Sequence, residues 1–292
     1  MKLSVIIVSY ENYELLRDCL DSIELYNDLG NELEVIVSDN SLTDHVYNFV
    51  KNNYPNIKIL RNGNIGFGPA NNQAEKVCLG EYLLFLNPDT ILVEPIFKFA
   101  VSRFEEDCNL SLFGIKLIDK NRKTNNSFYL LDNYGIIRTM LFKIYHKLDL
   151  YIDGKMYIAG ADLFVRKSIF EEAGRFDDKI FMYYEEPDLI KRIKKINKKY
   201  KTRFFSEKKL IHLEGATENK DIDSVAKKNQ RSLNTYKYYC DKWNISFYKN
   251  VKKMRNYQYI KLLGSIILKK NDQRLLSRKM IDLYNNNLKR WL

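Results

Sequence analysis

Acidic side chains are candidates for chemistry at two places in the sequence. The first is Asp89, which follows the apolar run 82–86 within the tetrapeptide Asn-Pro-Asp-Thr. Because Pro88 cannot continue a sheet ladder, the strand predicted over this run ends here, and the Asp89 carboxylate lies just past its carboxyl end. Such a carboxylate is the hard oxygen ligand that Mg²⁺ or Mn²⁺ takes when phosphates complete the coordination. A plain turn followed by a helix cap is the alternative for an isolated tetrapeptide.

The second place is the start of a predicted helix, where Glu185, Glu186 and Asp188 lie together. Pro187 suits the first position of this helix, and its inward stripe is formed by Leu189, Ile190, Ile193 and Ile196. A helix N-terminus favours ionised carboxylates, which suits a general base better than a general acid. The alternative is that the three carboxylates only cap the helix.

The elements that must position these residues alternate between strand and helix. Apolar runs of strand length occur at 3–8, 34–38, 57–60 and 82–86, and helical spacing occurs at 13–26, from 43 or 44, and at 69–78. This alternation predicts right-handed crossovers and an α/β fold with a parallel sheet that is covered on both faces. In open sheets of this kind, ligands bind beyond the carboxyl ends of the strands.

The second half of the sequence is less regular. A strand is predicted over 110–118, and the loosely patterned stretch 119–157 is expected to cover an active site without showing a motif for an acceptor. Strand signals return within 157–165, a short helix follows at 168–173, and the pattern is helical from about residue 224.

Several classes of protein are excluded or disfavoured. The first strand-to-helix turn, 9–12, has no glycine, and Gly63, Gly66 and Gly68 do not form a dinucleotide fingerprint, so NAD binding is disfavoured. No G-K-S/T is present, which excludes a P-loop. The four cysteines show no C-x-x-C spacing, which predicts a reduced, cytoplasmic protein without zinc. We find neither a signal-like N-terminus nor an apolar window of membrane-spanning length.

The charge of +11 resides in the C-terminal region. From residue 237 onward there are 14 Lys and Arg against three Asp, whereas the first 236 residues hold 34 charges of each sign. This region is rich in aromatic residues, and its segment 259–268 contains six aliphatic residues together with Lys261 and is followed by Lys269 and Lys270. An anionic membrane surface is one expected partner. The alternatives are packing on the body of the protein or on a second subunit, and a nucleic-acid partner for the basic tail.

A series of short fragments follows in order from residue 3 to about 217, over roughly three quarters of the chain. The fragments are S-V-I-I-V-S-Y, V-S-D-N-S, N-x-G-F-G-x-A-N-N, G-E-Y-L-L-F-L-N-P-D-T, G-A-x-x-x-x-R, F-M-Y-Y-E-E-P-D-L and I-H-L-E-G-A-T. Taken together, they resemble an inverting family 2 glycosyltransferase with the GT-A fold, of the bacterial rhamnosyltransferase-like kind.

The resemblance implies roles for individual residues. Nucleotide binding is assigned to Ser9, Tyr10, Asp39, Asn64, Asn72 and Asn87. Asp89 matches the metal-binding aspartate of a D-x-D motif whose first position is here Asn87, and His212 matches a histidine near the diphosphate. A lone histidine after a strand is otherwise more often structural. The Glu185-Glu186 pair matches a Glu-Asp pair whose second member is the base. Because Glu186 replaces the aspartate of that pair, Asp188 stays a candidate too.

The implied activity is inverting transfer of a sugar from a dTDP- or UDP-linked donor to a glycan or lipid-diphosphate-linked acceptor, with Mn²⁺ or Mg²⁺ as cofactor. We expect a GT-A domain over 1–220 and a basic helical region over 221–292, which binds a membrane or forms a homodimer. A catalytically idle sugar-binding or scaffold protein of the same fold is the main alternative, because Asn87 and Glu186 depart from the strict motifs. A nucleic-acid-binding role leaves the carboxylates unexplained and is not expected.

Overall fold

A computed structural model describes residues 1–131, 142, 144–213 and 221–291. The described residues form two compact units. The first holds residues 1–131 and 146–213, and the second holds residues 142, 144, 145 and 221–291.

The first unit is built on an eight-stranded sheet. Its strands are β1 (Leu3–Ser9), β2 (Leu33–Asp39), β3 (Lys58–Arg61), β4 (Tyr82–Leu86), β5 (Thr90–Leu92), β6 (Leu110–Ile118), β9 (Asp162–Arg166) and β10 (Lys201–His212). They are ordered β3-β2-β1-β4-β9-β6-β10-β5. Neighbours are parallel from β3 to β4 and between β6 and β10, whereas β9 and β5 run antiparallel to their neighbours. The predicted mostly parallel α/β sheet is confirmed.

Strand β4 lies at the centre of the core. All five of its residues are buried, as the unbroken apolar run predicted, and each such side chain contributes about 1.5–3 kcal/mol through burial. Aromatic side chains extend this core: the Tyr82 ring stacks on Phe104 at 4.6 Å, and Phe113 stacks on Phe164 at 4.7 Å. Asp89 therefore follows a strand whose five residues are all buried in the core.

Six helices of the first unit connect these strands. They are α1 (Tyr13–Leu25), α2 (His45–Asn53), α3 (Phe67–Glu75), α4 (Phe97–Glu106), α5 (Lys167–Glu172) and α6 (Glu185–Ile196), with a 3₁₀ turn at Gly30–Glu32. Helix α1 is capped by Asn12, whose Oδ1 accepts a hydrogen bond from the Leu15 N–H at 3.0 Å. The sequence reasoning did not anticipate α4 or the short strand β5.

The start of α6 differs from the prediction. The helix begins at Glu185, so Pro187 occupies its third position and not its first. Proline is tolerated there because the first N–H groups of a helix have no acceptor within the helix. The two preceding residues, Tyr183 and Tyr184, have φ of 71° and 72°, a left-handed conformation that is uncommon outside glycine and that fixes how the helix starts.

A two-stranded antiparallel sheet lies within the loosely patterned region. It consists of β7 (Phe128–Leu130) and β8 (Met156–Ile158), and it pairs Tyr129 with Tyr157. Residues 132–141 and 143 of the region predicted to cover an active site lie outside the described residues, as do residues 214–217 of the last motif.

The second unit contains three long helices, α7 (Ile222–Lys242), α8 (Phe247–Ile267) and α9 (Asn271–Arg290). Helices α8 and α9 form a hairpin, and hydrogen bonds between buried or half-buried side chains join α7 to them. The Asn250 amide donates to the Tyr236 hydroxyl at 2.7 Å, and the amides of Gln230 and Asn287 bond to each other. Among the helices that the structure describes, none is long and apolar enough to cross a membrane.

Candidate active site

Two buried polar side chains lie where the first two strands end. Ser9 and Asp39 are opposite each other in the β1–β2 register, and both are fully buried. Asp39 Oδ1 accepts the Ser41 N–H at 2.9 Å, whereas Asp39 Oδ2 and Ser9 Oγ have no hydrogen-bond partner within the protein. Unpaired buried polar atoms are costly, so this pair is suited to a polar ligand. Tyr10, next in the chain, is 49% exposed.

Glu11 joins the two loops that follow these strands, a role that the sequence reasoning missed. Its carboxylate accepts the Leu42 N–H at 2.7 Å and the Thr43 hydroxyl at 2.6 Å. Its own N–H donates to Ser41 Oγ at 2.8 Å, and its φ is 56°. These bonds lower the pKa of the Glu11 carboxyl, chiefly through the Thr43 hydroxyl. The loop that carries Tyr10 and the loop that carries Asp39 are thereby held together.

The third strand-to-helix connection packs against the loop before α6. Gly66 has φ of 107°, and a Cβ there would lie 2.7 Å from the Phe181 carbonyl oxygen, which accepts the Phe67 N–H at 2.8 Å. Asn72 donates to the Phe176 carbonyl and to Asp178 Oδ1, both at 2.8 Å. Its amide oxygen accepts the Phe176 N–H at 3.0 Å.

In the structure, the N-x-G-F-G-x-A-N-N motif at 64–72 therefore holds, through these hydrogen bonds, the chain that leads to the glutamates. The nucleotide roles of Asn72 and of Asn64, which lies in the same connection with φ of 56°, stay predictions.

The turn after β4 brings Asp89 close to His212. Asp89 is 8% exposed, and its Oδ1 lies 3.4 Å from His212 Nε2. Strand β5 starts at Thr90, which is opposite His212 in the antiparallel pairing with β10, and this pairing aligns the two side chains. The Thr90 hydroxyl closes the turn by donating to the Asn87 carbonyl at 2.7 Å. An aspartate oxygen and an imidazole nitrogen at this separation suit two ligands of one divalent ion.

The same turn is joined to the segment that contacts Glu186. The Asn87 N–H donates to the Ala161 carbonyl at 3.0 Å. Gly160, one residue earlier, has no side chain, and a Cβ there would lie 2.0 Å from Glu186 Oε1. The Glu186 carboxylate therefore occupies the space that a side chain at Gly160 would fill. The next residue, Ala161, is the one that bonds to the Asn-Pro-Asp turn. This connects the two acidic places that the sequence singled out.

Burial sets the protonation of the two glutamates. Desolvation raises the pKa of Glu186 to about 7, against backbone hydrogen bonds from its own N–H and from Gly160 that favour the charged form. Desolvation, followed by the neighbouring Glu186 charge, raises the pKa of Glu185 well above its usual value, and Glu185 Oε1 has no partner. At both glutamates the loss of water thus opposes the helix N-terminus, which by itself favours the ionised form.

Asp188 occupies a different environment from the glutamates. It is fully buried, and its Oδ2 accepts a hydrogen bond from Arg192 Nε at 2.8 Å one helical turn later. The Arg192 guanidinium also donates to the Ala173 carbonyl. Asp188 is thus tied into an ion pair that joins α6 to the end of α5. The i, i+4 spacing of an acid and an arginine in the sequence is a signal that could have indicated this.

Aromatic side chains and a polar cavity complete the surroundings. The Tyr157 ring lies 5.5 Å from the Tyr129 ring, and burial, followed by the Glu186 charge, raises the pKa of the Tyr157 phenol well above its usual value. His212 and Leu213 line an open cavity of about 340 Å³ together with residues of the 119–125 loop. The sequence predicted that residues 119–157 cover an active site, but it did not single out Tyr129 and Tyr157.

Comparison with known proteins gives the same family as the motifs. A model described as glycosyl transferase family 2 matches residues 4–174. The rhamnosyltransferase WbbL of Escherichia coli strain K12 is 27% identical over 206 residues, which cover 65% of this chain and 75% of WbbL. The uncharacterised glycosyltransferase YibD of the same organism is 29% identical over 109 residues, which cover 36% of this chain. The chain thus spans only 31% of the length of YibD.

A solved structure shows the fold. The mannosyltransferase PcManGT from Pyrobaculum calidifontis, in complex with GDP-Man and Mn²⁺, is similar with a TM-score of 0.66 and 12% identity, and the match covers 100% of this chain and 88% of that one. At this identity the likeness establishes the GT-A arrangement of the sheet and helices. Because the family model matches more than half of the sequence and the fold agrees with it, the chain belongs to glycosyl transferase family 2.

Proposed function

We propose that the protein transfers a sugar, with inversion, from a nucleotide-diphosphate sugar to a hydroxyl of a glycan or lipid-diphosphate-linked acceptor. The observation that carries this proposal is the connection between the two acidic places. Glu186 packs against Gly160, and the adjacent Ala161 carbonyl holds the turn that bears Asp89. A proton acceptor and a metal ligand are therefore positioned by one continuous piece of backbone.

We assign the nucleotide base to the pocket of Ser9 and Asp39. A hydroxyl and a carboxylate oxygen, both buried and without partners, are complementary to the adjacent carbonyl and N–H of a uracil or thymine edge. The Glu11 contacts keep the two loops of this pocket in register. A dTDP- or UDP-linked donor follows from this assignment. We place Tyr10 and Asn64 at the rim of the pocket.

Asp89 and His212 are the proposed metal ligands. The described residues contain no group of three or more His, Cys, Asp or Glu side chains that could hold an ion alone. Two protein ligands fit Mn²⁺ or Mg²⁺ when diphosphate oxygens and water supply the other positions. When bound, the ion neutralises charge on the departing nucleotide diphosphate. The Mn²⁺ in the PcManGT complex supports a divalent ion without deciding between the two metals.

Glu186 is the proposed base. Ionised Glu186 takes the proton of the acceptor hydroxyl while that oxygen bonds to the anomeric carbon. The bond from this carbon to the diphosphate oxygen breaks, and the nucleotide diphosphate leaves with the electron pair. A pKa near 7 suits this task at neutral pH. Burial raises the pKa of the Glu185 carboxyl well above its usual value, and Asp188 is paired with Arg192, so we rank both below Glu186.

The similarity to a rhamnosyltransferase supports a deoxyhexose or hexose donor and a place in bacterial cell-surface polysaccharide synthesis, such as capsule or O-antigen. We place the reaction in the cytoplasm, at the inner face of the cell membrane, where a lipid-diphosphate-linked acceptor is presented. The cavity beside His212 is the proposed entrance for that acceptor.

A donor panel tests this proposal. Purified full-length protein is assayed for hydrolysis and transfer with dTDP-rhamnose, UDP-galactose, UDP-glucose and UDP-N-acetyl sugars, with Mn²⁺, Mg²⁺ or EDTA. We expect one donor to be turned over in a metal-dependent way. Asp89→Ala and Glu186→Gln should each lower turnover by about 10² to 10⁴-fold, since each removes one catalytic contribution.

Glu14→Gln, an exposed change on α1, is the matched control and should behave as wild type. Near wild-type turnover of Glu186→Gln would move the base role to Glu185 or Asp188. Donor binding without any hydrolysis or transfer would support the idle, sugar-binding alternative and contradict the proposal.

A further inference from the structure

Exposed apolar side chains are concentrated at one end of the α8–α9 hairpin. We call residues 259–275 the hairpin tip. Seven large side chains of this segment are between 43% and 79% exposed. They are Tyr259, Ile260, Leu263, Ile266, Ile267, Leu268 and Leu275. Those on α8 recur at spacings of three and four residues and so form one continuous stripe, while Ser265 of the same helix is buried.

Cations lie among these apolar side chains. The hairpin tip contains Lys261, Lys269, Lys270 and Arg274 against a single acid, Asp272. The three lysines are exposed, and Lys261 Nζ lies 4.9 Å from the centre of the Tyr257 ring. The patch is therefore both apolar and strongly positive.

The turn of the hairpin keeps a lysine at a position that usually holds glycine. Lys269 has φ of 54°, its N–H donates to the Ile266 carbonyl at 3.2 Å, and the Lys270 N–H donates to the Ser265 carbonyl at 2.9 Å. This is the hydrogen-bond pattern of a helix that ends in a left-handed residue. Glycine adopts that conformation without strain, so the lysine adds a charge at a conformational cost. Lys269 therefore adds its charge at the turn of the hairpin, directly after the exposed Leu268 in the chain.

We propose that the hairpin tip binds an anionic lipid bilayer. Lysines are depleted from the centres of protein interfaces, whereas helices that lie on anionic membranes carry them beside apolar side chains. The segment 259–268 is ten residues long and includes Lys261, so it is too short and too polar to span a bilayer, and we place it at the bilayer surface. The hairpin tip is thus the surface that would hold the protein at the membrane, where the proposed function places the reaction. Binding of the tip to a bilayer does not otherwise depend on that function.

Vesicle sedimentation with the full chain tests the inference. The probes are vesicles of phosphatidylcholine with 30% phosphatidylglycerol and vesicles of phosphatidylcholine alone. We expect binding to the anionic vesicles only. Lys269→Gln with Lys270→Gln should weaken it about 30-fold, since each lysine near the surface contributes about 1 kcal/mol and 1.4 kcal/mol is tenfold. Leu263→Ser with Ile267→Ser should weaken it at least as much.

Matched controls distinguish the effect of changing the hairpin tip from the effect of removing charged or apolar side chains elsewhere in the protein. Lys252→Gln with Lys253→Gln removes two exposed lysines from the other half of α8, and Leu25→Ser with Leu79→Ser removes two exposed leucines from the first unit. Both pairs should change binding less than threefold. Donor hydrolysis, assayed without vesicles, should be unchanged in all four variants, so that failure of the transferase proposal is measured separately.

Three results would overturn the inference. The first is equal recovery of wild type and both tip variants on anionic vesicles. The second is equally tight binding of wild type to neutral vesicles. The third is a dimer, seen by sedimentation velocity, that the tip substitutions dissociate without affecting vesicle binding, which would make this patch an interface with a second copy of the chain.

Discussion

At the scale of single residues, identical carboxyl groups acquire different chemistry from their surroundings. Glu185 is buried without a partner for Oε1, and desolvation raises the pKa of its carboxyl well above the usual value. Glu186 receives backbone hydrogen bonds that offset part of the desolvation, and its pKa is raised only to about 7. Asp188 faces an arginine instead. Two adjacent glutamates with separated protonation behaviour are the arrangement expected around a general base.

The raised pKa of Glu186 predicts how the rate depends on pH. Only the ionised carboxylate accepts a proton, so kcat/KM should be constant above pH 8 and fall about tenfold per pH unit below pH 7. The measurement is initial rates from pH 5.5 to 9 with the best donor and saturating metal. Circular dichroism at each pH serves as the control for unfolding. Rates that stay flat down to pH 5.5 would show that the base is an ordinary, hydrated carboxylate.

At the scale of elements, the missing side chain of Gly160 allows α6 to approach the segment between β8 and β9. The helix start is aimed by the left-handed Tyr183 and Tyr184, and the first turn then places Glu186 Oε1 where a Cβ of residue 160 would lie. The base position is therefore decided by a contact between two elements that are distant in sequence.

Gly160→Ala tests this contact while leaving every carboxylate in the protein. The new methyl group meets the flexible end of Glu186, so we expect a folded protein in which the carboxylate is displaced and kcat falls about 100-fold, as for an ångström-scale misplacement. Steady-state kinetics and thermal melting are the measurements. Gly264→Ala, where a Cβ meets nothing within 4 Å, is the matched control. An unchanged kcat in Gly160→Ala would exclude Glu186 as the base.

At the scale of the whole molecule, several buried carboxyls make stability depend on pH. Burial raises the pKa of Asp162, Glu185 and Glu186 above their ordinary values of 3.8 and 4.5. The folded state therefore keeps protons that the unfolded chain releases, and the free energy of unfolding falls as pH rises from about 4.5 through 7. His146 acts in the opposite sense below pH 6.5, because burial lowers its pKa.

This linkage predicts the effect of Glu186→Gln on stability. At pH 8 the substitution removes a half-buried charge, so it should raise the free energy of unfolding by roughly 1–3 kcal/mol, whereas at pH 5 the carboxyl is already neutral and the gain should be small. Urea denaturation at both pH values measures the difference. Glu14→Gln should change neither value. An equal effect of Glu186→Gln at pH 5 and pH 8 would contradict the raised pKa.

The sequence by itself determined the alternation of strands and helices up to β4 and the position of Asp89. The apolar run of β4 and Pro88 after it act over a few residues, and local backbone preferences are enough to end a strand there. Strand β4 was predicted with its observed bounds for this reason. The ordered motifs, which extend over most of the first unit, were sufficient for the family and its fold.

The tertiary structure alone decided which groups meet and how they are protonated. Asp89 and His212 are separated by most of the first unit in sequence, and only the β5–β10 pairing brings them to 3.4 Å. The contact of Glu186 with Gly160 and the exposure of the hairpin tip likewise depend on packing between elements. The physical reason is that desolvation depends on every atom packed around a group, and most of those atoms belong to residues far away in the chain.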